Sequence, residues 1–123
     1  MIGYVTVGTN DLQRAGKFYD ALFGVIGAKR FMEFDRAIAW STGQNGAAGF
    51  GVGKPFDGKP ATVGNGVMVA VGVDSREKVD ALYKKALELG GTDEGPPGAR
   101  SEHFYAAYFR DLDGNKLNAC FVT

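Results

Sequence analysis

Apolar and polar residues alternate with a period of two at both ends of the chain, and recur every three or four residues in two stretches between. Gly3 to Val7 predicts a short strand, with Val5 and Val7 on one face and Tyr4 and Thr6 on the other. Asn10 or Asp11 offers a helix N-cap, and Gln13 can complete a start of the capping-box type. Leu12, Ala15, Phe18, Tyr19 and Leu22 then mark one face of an amphipathic helix, which Gly24 and Gly27 end. Three strands are expected next, over Lys29–Phe34, Ala37–Thr42 and Ala48–Gly53. The turns between them are Asp35-Arg36 and Gly43-Gln44-Asn45-Gly46, the second holding an Asn-Gly hairpin signal.

From Lys54 to Gly64 the periodicity stops, and Pro55, Gly58 and Pro60 predict a connecting loop. The pattern then begins again. Val67 to Val71 is a strand, Asp74 with Glu77 is a second capping pair, and Val79, Leu82, Tyr83, Ala86 and Leu87 line a helix face ended by Gly90-Gly91. Glu94 to Glu102, with two prolines and two glycines, is expected to be irregular. Phe104–Arg110 and Lys116–Val122 form a closing hairpin around the turn residues Asp111 to Gly114. A shift of 64 positions matches Val5 with Val69, Val7 with Val71, Asn10 with Asp74 and Tyr19 with Tyr83. The order strand, helix, strands therefore occurs twice. The expected architecture is α+β, built from two tandem βαβββ modules: module one over about 1–54, a loop over about 55–64, and module two over about 65–123.

Composition narrows the function. With 123 residues, 45% of them hydrophobic, the chain can bury a core as a single domain. The 14 basic and 14 acidic residues cancel and neither sign forms a run, which argues against a nucleic-acid partner. The single cysteine, Cys120, excludes an intramolecular disulfide and suits a reducing compartment. Met1 to Val5 shows no basic region before a long apolar run, and no stretch approaches the ~18 apolar residues of a membrane span. A cytoplasmic protein without membrane contact is expected. The 19 glycines, about twice the usual ~7% share, point to turns and close backbone packing.

Phe109-x-Asp111-x-Asp113-Gly114-Asn115, followed by a strand to the chain end, resembles the closing hairpin of the vicinal oxygen chelate superfamily of glyoxalases, extradiol dioxygenases and bleomycin-resistance proteins. The resemblance extends from Ile2 to Val122 through the element order, Asn10-Asp11-Leu12, Phe18-Tyr19 and Gly64-Asn65-Gly66. It implies that the two modules curl into a curved mixed-sheet cup. It also implies four metal-ligand positions, one on the first and one on the last strand of each module. These fall here on Tyr4, Phe50, Met68 and Asn118, where the family's enzymes usually carry His at the first and Glu at the last. An aromatic ring, a thioether and an amide do not make a centre for a transition metal, which needs imidazole, carboxylate or thiolate groups. No metal and no cofactor are therefore expected.

The remaining candidates are few. His103 beside Glu102 could act as a general base, yet it also reads as a loop-edge histidine in a charged turn. Cys120 has no activating base near it in sequence and reads as structural. Gly49-Phe50-Gly51-Val52-Gly53 lacks the strand-then-helix context of a dinucleotide loop and reads as a closely packed strand. Tyr4, Trp40, Phe50, Met68, Tyr105 and Asn118 are the expected ligand-binding residues, with Arg36 or Arg100 as polar anchors. The resemblance thus points to metal-free binding or sequestration of an aromatic or apolar small molecule by a homodimer. The alternative is a glyoxalase-like lyase or isomerase that works through His103, Glu102 or Tyr4, or through a metal site with unfamiliar ligands. A third possibility is an interaction module whose cup is filled by its own side chains.

Overall fold

The computed structural model describes all residues from Met1 to Thr123, and the chain divides into two units, Met1–Val63 and Gly64–Thr123. The first holds β1 (Tyr4–Gly8), α1 (Leu12–Gly24), β2 (Lys29–Glu33), β3 (Ala37–Ser41) and β4 (Gly49–Gly53). Its sheet runs β1-β4-β3-β2, with β1 parallel to β4 and the other pairs antiparallel. Helix α1 starts at Asp11, whose carboxylate accepts from the Arg14 N–H at 3.0 Å. Asn10, the other candidate cap, grips the connecting loop. Its amide oxygen accepts from the Ala61 N–H at 2.6 Å, and its amide nitrogen donates to the Ala61 carbonyl at 3.2 Å.

Period-two alternation decides which side chains meet the helix. The pairs Val5–Phe50, Val7–Val52, Ile38–Val52 and Trp40–Phe50 share one face of the sheet. Ala15, Phe18, Tyr19, Leu22 and Phe23 of α1 are buried over it. Tyr19 lies 4.8 Å from Phe50 and 5.6 Å from Trp40 between ring centres, and Phe23 meets Phe50 edge-on at 5.0 Å. These are favourable offset and edge-to-face geometries. A polar clamp closes the side of this core. The Arg30 guanidinium donates twice to Asp20 at 2.8 Å, the Trp40 indole N–H donates to the same carboxylate at 2.9 Å, and Arg30 also reaches Glu33 at 2.8 Å. Gly16 makes room for it, because a Cβ there would come within 2.7 Å of Arg30 Nη2.

The second unit repeats the order: β5 (Val69–Gly72), α2 (Arg76–Glu88), β6 (Thr92–Ser101), β7 (Phe104–Arg110) and β8 (Lys116–Val122), arranged β5-β8-β7-β6. Ser75, not Asp74, caps α2 by accepting from the Lys78 N–H at 3.2 Å. Asp74 pairs instead with Lys78 Nζ at 2.8 Å. The larger departure from expectation is β6, a ten-residue strand over the stretch that its prolines and glycines had marked as irregular. It lies at the sheet edge, and its register with β7 shifts between Asp93 and Gly95, between Gly95 and Gly98, and between Ala99 and Ser101. Edge position and bulges are the two circumstances that let a strand carry proline, which has no N–H to give the ladder. The closing hairpin lies where the alternation predicts it. In its turn the buried Asp111 accepts from the N–H groups of Asp113 and Asn115 and from the Asn115 amide, each at 2.9 Å, while Gly114 takes a positive φ of 89°. No helix is long and apolar enough to cross a membrane.

Two stability measurements follow from these polar anchors. Asp20→Ala leaves the buried Trp40 N–H without its acceptor and should cost about 1–3 kcal/mol in urea denaturation at neutral pH. The hydrogen bond from Arg30 holds the Asp20 carboxyl below the usual range. Its contribution is therefore complete above the unfolded value near ~3.9 and is lost as pH falls through the lower folded value. The gap between wild type and Asp20→Ala should accordingly narrow in strong acid, and a gap that widens there would contradict the clamp. In the hairpin, Asp111→Ala should cost about 1–3 kcal/mol and Asp111→Asn less, since an amide keeps one acceptor. Equal losses in the two variants would show that the turn does not depend on that carboxylate.

Candidate functional site

With its bulky residues spent on the helix side, the first sheet presents a floor of small ones on the other. Thr6, Ala37, Ala39, Gly49 and Gly51 pave a cavity of about 630 Å³ on that face. Tyr4 on β1 and Phe31, Met32 and Phe34 at the β2 end wall it. Tyr4 is 72%, Phe34 64% and Phe31 53% exposed, high for large apolar side chains. The shift in register between Arg30 and Met32 leaves Phe31 as the extra residue of a bulge. Its ring lies over Gly49, where an added Cβ would sit 3.1 Å from Phe31 Cζ. At Gly51 a Cβ would approach Thr6 Cγ2 to 3.3 Å. No lysine, arginine, histidine, aspartate or glutamate lines the cavity. Its polar side chains are the hydroxyl groups of Tyr4, Thr6 and Ser41.

Of the six residues expected to bind ligand, the structure brings only Tyr4 to this cavity. Trp40 and Phe50 are a correction. They are 1% and 8% exposed and belong to the aromatic core beneath α1. Counting four residues from Gly46 lands on Phe50, but Tyr4 pairs with Gly49, so the expected position is off by one and that single step turns the side chain to the opposite face. Tyr105 also faces its helix. Its hydroxyl donates to Asp80 of α2 at 2.7 Å, and the Arg76 guanidinium stands 5.1 Å from its ring centre. Asn118 is paired with Tyr108 on the side of the second sheet away from α2. It is buried, with its amide nitrogen donating to the carbonyls of Ala107 at 3.2 Å and Ala119 at 3.4 Å. Met68 precedes β5 and is exposed.

The groups suited to chemistry stand apart from one another. His103 sits in the turn between β6 and β7 with its side chain 68% exposed. Its Nδ1 lies 3.2 Å from the Thr123 hydroxyl and its Nε2 3.9 Å from Glu102. Burial pushes the Cys120 thiol up, which keeps it protonated and a poor nucleophile. Arg36 donates to the Pro55 carbonyl at 2.6 Å, and Arg100 to those of Pro96 and Gly98. No three of the His, Cys, Asp and Glu side chains meet as a metal-binding group. The positions implied for ligands offer a phenol, a glycine, a thioether and an engaged amide, a donor set that does not fit a divalent transition metal.

Phe31, Met32, Phe34 and the two floor glycines were not among the expected site residues. The signal for them is the strand Gly49-Phe50-Gly51-Val52-Gly53 itself. Where one face of a buried strand is all glycine and the other all bulky, the glycine face is either closely covered or open to a ligand.

The model of the Glyoxalase/Bleomycin resistance protein/Dioxygenase superfamily matches residues 1–119. Among solved structures, a glyoxalase/bleomycin resistance protein from Albidiferax ferrireducens T118 is 39% identical over 100% of this chain and 99% of its own, with a TM-score of 0.91. Hypothetical protein SA1046 from S. aureus is 28% identical over 98% of this chain and 96% of its own, at a TM-score of 0.71. A lactoylglutathione lyase from Agrobacterium tumefaciens shares the fold at 18% identity and a TM-score of 0.72, over 98% of this chain and 92% of its own. No curated protein sequence matches the chain. Two four-stranded mixed sheets, each covered by one helix, agree with that family model over nearly the whole chain, and the protein belongs to the glyoxalase/bleomycin resistance/dioxygenase superfamily.

Proposed function

We propose that the protein binds and sequesters a flat, uncharged aromatic or apolar small molecule on the open face of its first sheet, without chemical change. The observation that carries this reading is the cavity of about 630 Å³, a size suited to a drug-like ligand, with no charged side chain in its lining. A charged group brought onto that face would lose water and find no counter-charge, at a cost of several kcal/mol. A planar ring instead meets a floor of glycine and alanine and walls of Phe31, Phe34 and Tyr4, which favours stacking and edge contacts. The lyase or isomerase reading gains no support from His103, whose neighbours are Thr123 and Glu102 in an exposed turn, or from the protonated Cys120 thiol. The exposed aromatic residues on this one face also support a homodimer as the working state, since contiguous apolar surface marks association sites as well as ligand sites.

Titration with N-phenyl-1-naphthylamine, a neutral fluorescent probe, tests the reading directly. Saturable enhancement is expected with the wild-type chain. Gly51→Leu, which builds a side chain up from the floor, should weaken it by about tenfold or more, equivalent to about 1.4 kcal/mol, while circular dichroism shows the fold retained. The anionic analogue 1-anilinonaphthalene-8-sulfonate should displace the neutral probe from this face only weakly. No enhancement in the wild type, or equal binding by Gly51→Leu, would remove this face as the site.

A further inference from the structure

The face of the second sheet away from α2 has a different chemistry from the open face of the first. Tyr105, Ala107 and Phe109 of β7 point towards α2, so Tyr108 points away from it, beside Asn118 on β8. Two cations meet its ring: Arg100 Cζ lies 5.4 Å and Lys116 Nζ 5.5 Å from the ring centre. Both distances fall within cation–π range.

Arg100 is held in place. Its Nη1 donates to the Gly98 carbonyl at 2.8 Å and its Nη2 to the Pro96 carbonyl at 2.6 Å. The bulged edge strand makes the space for this. A Cβ on Gly98 would stand 3.1 Å from Nη1 and one on Gly95 3.3 Å from Nη2, so a side chain at either position would push the guanidinium by a few tenths of an ångström. Backbone carbonyls fix its position but do not neutralise it. Of the five N–H donors of a guanidinium, these two bonds leave three for another acceptor. Neither Arg100 nor Lys116 forms an ion pair. Glu94, the carboxylate that acts on Lys116, is taken by Arg110 at 2.6 Å.

Two cations without a direct ion pair beside one aromatic ring, one of them held by the backbone, make a surface suited to negative charge. We propose that Arg100, Lys116 and Tyr108 form an oxyanion-binding site for the carboxylate or phosphate group of a small molecule, with Arg100 supplying forked donors and Lys116 the second charge. The site does not depend on the neutral apolar site of the first sheet, so either can fail alone.

Calorimetric titration of the full-length protein with inorganic phosphate and with benzoate tests the site, together with the ¹⁵N signal of the Arg100 Nε–H. Saturable binding of at least one anion, with a shift of that signal, is expected. Arg100→Gln should weaken it by about tenfold or more, Arg100→Lys by less, and Lys116→Gln by about threefold or more. Lys17→Gln, which removes an exposed cation from the first unit, should leave it unchanged. Phosphate binding alone or benzoate binding alone supports the site and tells which anion it prefers. Absence of saturation with both anions, unchanged affinity in Arg100→Gln, or an equal loss in Lys17→Gln would overturn it. Lys116→Gln leaves the Arg100 carbonyl contacts in place and keeps the test readable if Arg100→Gln fails to fold.

Discussion

Each sheet has one helix and two faces, and the rest of the structure depends on how the chain divides its side chains between them. In a strand that division is binary, because neighbouring residues point to opposite sides. The first module puts Trp40, Phe50, Ile38 and Val52 under α1 and leaves glycine and alanine opposite them. The aromatic cluster formed with Tyr19 and Phe23 therefore shapes the cavity as well as the core. The bulk that fills one side is absent from the other. A large residue at Gly49 or Gly51 would add nothing to the core and would occupy the cavity.

Polar groups hold these layers in register at a few fixed points. Asp20, Arg30 and Trp40 link α1, β2 and β3 through one carboxylate, which satisfies the only donor of a buried indole. Asp111 does the corresponding work in the second module by gathering the N–H groups of its turn. Both anchors join backbone or ring donors to an acid, a stronger bond than one between neutral partners. That strength is useful where strands of five to seven residues must keep a one-residue register.

Much of this was legible before any coordinates. Elements from β1 to β4, both helices and the closing hairpin follow from alternation, helical spacing and turn residues, and the internal repeat gives the module order. Strand β6 was not legible, because proline and glycine signal irregularity and only the neighbouring strand shows that they lie on a bulged edge. Of the cavity lining, only Tyr4 was legible as a candidate. Aromatic residues on strands are visible in the sequence, but the face each one takes depends on a register that a divergent repeat fixes to about one residue. An error of that size puts Phe50 at the ligand, while Trp40 enters only as a strand aromatic whose face the sequence leaves open. The N-cap of α2 failed for a similar reason, since Asp74 and Ser75 are both good caps and only geometry separates them.

The two sheets also show how equivalent strands of a duplicated frame can carry different side chains on the faces turned away from their helices. Retaining the fold requires the helix-side residues, the caps and the turns, and these are the features that persist in both modules. On the faces turned away from the helices, a glycine-paved neutral floor in one module and a cationic Tyr108 surface in the other coexist on equivalent strands. Superfamily membership therefore accounts for the architecture, and the activity has to be argued from the outward residues. At those positions this chain carries Tyr4, Phe31, Gly49 and Gly51 on one sheet, and Arg100, Tyr108 and Lys116 on the other. The first set is suited to excluding water from an apolar ring, the second to meeting a negative charge, and neither supplies the imidazole and carboxylate cluster that a divalent metal requires.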